Sequence, residues 1–173
     1  MVTYINFTLA VLTVTAEALV ALFIISRFLK EGNFLRKFFF SYGKWLAFSA
    51  ALIAVLGSLT YSEIVGYDPC KLCWIQRIFM YPLVLVLGVA LWRREVKNLI
   101  PYILILAIPG AIVAVSHYYL QVSGVSIFPC DAVGYSAACS QRFVLQFGYI
   151  TIPMMALSSF LLITVSTLAI GKK

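Results

Sequence analysis

The sequence predicts an all-α, polytopic membrane protein: a four-helix transmembrane bundle with one additional transmembrane helix at its N-terminus. Three observations carry this. Of 173 residues, 63 % are apolar and 11 % are charged, with a mean hydropathy of +1.01, outside the usual composition of soluble domains. Five apolar runs, residues 4–26, 45–65, 74–92, 99–120 and 149–170, are each long enough to cross about 30 Å of hydrocarbon at about 1.5 Å per residue. About five such helices use roughly 100 residues, which leaves connections too short for a soluble domain of ordinary size. The net charge of +7 is spread too thinly over this apolar sequence to form a nucleic-acid face, and reports membrane orientation instead.

The first run has no Lys or Arg ahead of its apolar stretch and ends at Arg27 and Lys30, the reverse of a secretory signal's charge order. It reads as a retained helix with its N-terminus outside. Residues 1–41 are this helix and a basic cytoplasmic loop; residues 42–173 are the four-helix core. Glu17 lies well inside the first run and is expected to be protonated, bundle-facing or near the surface of a tilted helix. Connections 27–44 and 93–98 and the C-terminal tail hold ten of the thirteen basic residues. The positive-inside rule makes these cytoplasmic, and puts 66–73 and 121–148 outside the cell membrane with all four cysteines. Trp45, Trp74, Trp92, Tyr118, Tyr119 and Tyr149 fall at run ends, where an aromatic belt belongs.

Cys70 and Cys73 form a C-x-x-C, and Cys130 and Cys139 a C-x8-C, two crossings apart. The exterior permits structural disulfides, but a C-x-x-C ring is too small for much entropic stabilisation, and five spanning helices need no such staple. Asp68 and Pro69 read as an N-cap and first helical position, so both cysteines would occupy the opening turns of the 74–92 helix. The free N–H groups and positive dipole end there favour a thiolate. Arg77, four residues after Cys73, lies one turn deeper on the same face. Its guanidinium suits a thiolate or the oxygen of a bound electron acceptor; the bland alternative is snorkelling to headgroups. Zinc is disfavoured because the spacing lacks paired C-x2-C knuckles, so no metal is expected. Cys130 and Cys139 sit in a loop of small residues, and an exposed bridge of that kind exchanges with incoming thiolates. Two pairs on one side suggest a relay from the membrane to a soluble protein.

Residues 57–82 (GSLTYSEIVGYDPCKLCWIQRIFMYP), His117, Cys130, Cys139 and residues 147–153 (FGYITIP) together resemble the disulfide bond formation protein B family, DsbB, most closely its short-loop Gram-positive type. The likeness covers about residues 42–170. It implies a thiol oxidase that reoxidises a secreted, thioredoxin-fold, DsbA-like partner and passes electrons to membrane quinone, either ubiquinone or menaquinone. By the same resemblance, Cys70–Cys73 is the bridge regenerated by quinone, with Cys73 contacting the ring and Arg77 beside its oxygen. Cys130 and Cys139 are the pair that meets the partner, through Cys130. His117 matches a residue near the quinone, the alternative being an interfacial histidine satisfied by a backbone carbonyl; Glu63, shared with the short-loop type, either pairs Arg77, relays a proton at the quinone site or is a wet interfacial carboxylate. Gln76, also assigned to the quinone-binding residues, stands where many proteobacterial members have Glu, and the first helix is extra to the usual four. Two alternatives stay open. A vitamin K epoxide reductase-like enzyme is also a four-helix bundle with two cysteine pairs, but in the reverse order along the chain. A non-enzymatic scaffold would use all four cysteines structurally. Oligomeric state is not legible.

Overall fold

A computed structural model describes residues 1–28, 33–93, 95–125 and 138–171. Among these are five long helices: α1 (Val2–Phe28), α2 (Asn33–Leu59), α3 (Lys71–Arg93), α4 (Ile100–Ser123) and α5 (Ile152–Gly171). Each is long and apolar enough to span a membrane, and in lipid a helix is the one open chain that satisfies its own backbone groups. The chain is therefore an all-α, multi-pass membrane protein. Its outer surface is apolar, with Ile78, Leu85, Ile105 and Val122 all largely exposed, as lipid contact requires.

Helices α2 to α5 close a ring in which α2 packs on α3 and α5, and α4 on α3 and α5; α1 lies against α5 and α2. Small residues make this close packing possible. Ala47, Ala51, Ala107 and Ala114 are fully buried, and a Cβ on Gly110 would lie 2.4 Å from the Phe160 ring. The helix α2 begins well before the apolar run that starts at 45. The stretch 33–44, expected as loop, is helical because its aromatics continue the bundle face: Phe39 is fully buried and its ring meets Phe23 of α1 at 5.1 Å.

At the other end of α2 the helix widens into a π turn, Thr60–Ile64. Gly66, at φ 79°, then turns the chain through the left-handed region that glycine tolerates, and the Tyr67 N–H donates back to the Tyr61 carbonyl at 2.9 Å. The α4 helix ends similarly at Gly124 (φ 72°), whose N–H reaches the Leu120 carbonyl, the common left-handed C-terminal cap. Ahead of α5 a tight turn joins Gln146 to Ile150, with Phe147 and Gly148 both at positive φ.

Candidate active site at the head of α3

The opening of α3 departs from the Asp-Pro expectation. The first helical residue is Lys71, and the Cys70 carbonyl accepts the Trp74 N–H at 3.1 Å, so Cys70 itself is the N-cap. Its Sγ accepts the Cys73 N–H at 3.4 Å, where a Ser or Asp oxygen normally sits. Tyr67 is instead stacked between Tyr61 (5.9 Å) and Phe143 (4.7 Å), which draws residues 67–69 off the helix axis.

Cys70 and Cys73 are free thiols with their sulfurs 3.1 Å apart. His117, 1 % exposed, reaches across from α4. Its Nδ1 is 3.2 Å from the Gln76 amide nitrogen, which can only donate, so Nδ1 accepts and Nε2 carries the proton. That Nε2–H faces two acceptors, the Cys70 sulfur at 3.6 Å and the Cys139 carbonyl at 3.1 Å. The Cys73 S–H, the His117 ring and the Cys73 backbone N–H together hold the Cys70 thiol well below the ordinary thiol range, against the opposing effect of burial. Cys70 is thus the thiolate of the pair.

Cys139 is disulfide-bonded and buried, at 2 % exposure; Cys130 lies outside the described residues. The Cys70 sulfur, the His117 ring nitrogen and the Cys139 sulfur all lie within 4.8 Å of one another. The exposed bridge expected from the loop's composition is therefore closed over at its Cys139 end. Polar clamps hold it there: Gln121 Nε2 donates to the Gln141 carbonyl at 3.0 Å, and Arg142 donates to the Gln121 carbonyl from Nε at 2.8 Å and from Nη2.

On its other side Cys73 borders an apolar cavity of about 260 Å³ shared by α1, α2, α3 and α5. Gln76, Arg77 and Met80 line it beside Cys73. Arg77 is buried and held by Ser58: Nε donates to the hydroxyl and Nη2 to the carbonyl, both at 2.9 Å. Its guanidinium also lies 5.1 Å from the Trp74 ring centre. Glu63 does not pair with it. That carboxylate is exposed and accepts the Ser62 hydroxyl at 3.1 Å, because the extra residue in the π turn rotates later positions by about 100° relative to an α-helix. His117 stands on the Cys139 side of the dithiol and is not among the cavity-lining residues. Ser58, Gln121 and Arg142, which hold Arg77 and Cys139 in place, carried no sequence signal, since they act through partners far along the chain.

A spanning helical bundle with a thiolate-favouring dithiol at a helix N-terminus and a disulfide in contact with it defines a membrane thiol–disulfide oxidoreductase. Residues 42–170 match the family model described as "Disulfide bond formation protein DsbB", and the chain belongs to that family. It is 46 % identical over 128 residues to disulfide bond formation protein C of Bacillus subtilis, covering 73 % of this chain and 88 % of that one. It is 39 % identical over 134 residues to a probable disulfide formation protein C 1 of Bacillus anthracis (76 % and 93 % covered). A probable disulfide formation protein of Oceanobacillus iheyensis is 44 % identical over 122 residues (69 % and 82 %). No solved structure matches.

Proposed function

We propose that this protein reoxidises a secreted, thioredoxin-fold, DsbA-like dithiol and transfers the electrons to ubiquinone or menaquinone in the membrane. The observation that carries the reading is the position of the Cys70–Cys73 pair, with Cys70 against the Cys139 disulfide and Cys73 against the apolar cavity. The cavity fits a quinone. Its walls are mainly apolar, and at the dithiol end Arg77 spends two of five N–H donors on Ser58, leaving three for a carbonyl oxygen. Arg77 and Gln76 would hold the ring oxygen beside Cys73. When bound, the quinone supplies a two-electron, two-proton acceptor.

In this reading the loop bridge joins Cys139 to Cys130. A partner thiolate attacks Cys130, forming a mixed disulfide and expelling the Cys139 thiolate; the partner's second cysteine displaces Cys130 and leaves oxidised. Loop dithiol and Cys70–Cys73 disulfide then exchange: Cys139 attacks Cys70 and Cys73 leaves as thiolate, after which Cys130 attacks Cys139 and displaces Cys70, so the loop bridge is restored and Cys70–Cys73 holds the two electrons. His117 Nε2–H faces the Cys70 and Cys139 sulfurs and stabilises negative charge on either of them. A partner near about −120 mV and a structural bridge below about −300 mV differ by roughly 8 kcal/mol, so the electrons must be drawn off by an external acceptor. The Cys70 thiolate supports this chemistry over a scaffold, since a depressed thiol pKa stabilises the reduced state and makes its disulfide more oxidising.

The same reading puts the N-terminus and the cysteine end outside the cell, with Lys37, Arg93 and Lys97 near the cytoplasmic ends of α2, α3 and α4. The test is quinone reduction by purified protein supplied with a reduced DsbA-like protein. Cys73→Ser is expected to abolish turnover; unaltered turnover in that variant overturns the proposal.

A further inference from the structure

The helix α1 lies outside the region shared with the family, residues 42–170, yet it forms one side of the cavity that borders Cys73. Leu9, Leu12, Thr13, Ala16 and Leu19 all line it, at the three- and four-residue spacing of one helical face. The opposite face, with Val11, Val14, Leu22 and Ile25, is exposed and meets lipid.

Four residues of α1 fix it in the groove between α2 and α5. The Tyr61 hydroxyl donates to Asn6 Oδ1 at 3.0 Å. Leu9 packs on Gly57, where a Cβ would come within 3.3 Å of it. Phe7 meets the Phe147 ring edge-on at 6.0 Å. Deeper in the bundle Glu17 accepts the Tyr149 hydroxyl at 2.8 Å and the Ser158 hydroxyl at 2.9 Å. Of the orientations open to this acid, the bundle-facing one is found, with both oxygens occupied by donors.

These contacts also give the cavity a direction. Leu9 is level with Gly57 and hence with Ser58, the anchor of Arg77. Ala16 and Leu19 follow seven and ten residues later, about 10 and 15 Å deeper along the helix. We propose that α1 is the wall against which the linear apolar tail of the quinone lies, with the ring at Arg77 and the chain running toward Leu19, and that the Glu17 clamp sets the position of this wall. The inference rests on the quinone reading above.

The experiment is equilibrium binding to the full-length protein in detergent, read by quenching of tryptophan fluorescence, with two probes: a decyl-tailed benzoquinone and the same ring without a tail. Ala16→Phe fills the wall from α1 without touching the thiols, and Glu17→Ala releases the clamp. Each is expected to weaken the tailed probe roughly tenfold, the loss of about two buried methylenes, and the tailless probe less than about twofold. Equal effects on both probes, or no effect of Ala16→Phe on either, overturn the inference while leaving the quinone reading intact. Failure of wild-type protein to bind either probe overturns that reading, and the inference with it.

Discussion

Replacing His117 by Ala tests the charge arrangement around Cys70 directly. The imidazole Nε2–H is one of three donors facing the Cys70 sulfur. A hydrogen bond to a charged group contributes roughly 1.5–3 kcal/mol, and about 1.4 kcal/mol corresponds to one pH unit. Its loss is therefore expected to move the Cys70 titration midpoint upward by roughly one to two pH units. A depressed thiol pKa favours the folded reduced protein once the pH exceeds the unfolded-state thiol pKa, and that contribution is lost as pH falls toward the folded value. The variant should lose part of it near neutral pH. The assay is thiolate absorbance near 240 nm of the reduced protein against pH, paired with alkylation rates at Cys70. An unmoved midpoint would refute the reasoning and assign the low value to the Cys73 thiol and helix terminus alone.

Two further substitutions probe what holds the site. Gly110→Ala drives a methyl into the Phe160 ring at the α4–α5 contact, and overpacking of this kind costs roughly 1–3 kcal/mol; a lowered thermal midpoint in detergent with unchanged thiol titration is the expected result. Arg142→Ala removes two donors from the Gln121 carbonyl and loosens the segment carrying Cys139, so the rate of Cys70–Cys139 exchange, followed by trapping of the mixed species, should fall with little change in quinone affinity.

The spans were legible in the sequence because lipid leaves the backbone a single solution, and the apolar runs report where that solvent lies. The start of α2 was less so. Arg36 and Lys37 ahead of Phe38, and Lys44 after it, read as a connection, whereas the helix already runs through this stretch with Phe39 turned inward. The dithiol followed from the C-x-x-C, and its place near the head of α3 from Asp68-Pro69 ahead of it. The identity of the cap did not, since Asp68-Pro69 satisfies every local preference for that role and lost it to tertiary stacking of Tyr67 on Phe143 and Tyr61. The side of the dithiol that His117 occupies, and the partner chosen by Arg77, depend on the rotation of α2 and α4 about their axes. A single π turn altered that rotation enough to separate Glu63 from Arg77.

The cap formed by Cys70 ties backbone order to electron occupancy. An anionic sulfur holds the first turn of α3, whereas the same sulfur in a disulfide is neutral and accepts weakly. A lost cap is worth about 1 kcal/mol, so every oxidation of Cys70 leaves the helix end easier to unravel and every reduction winds it again. The Cys73 amide, which donates to that sulfur, should accordingly exchange its hydrogen faster in the oxidised protein, and the cost of unwinding adds to the tendency of the bridge to give itself up.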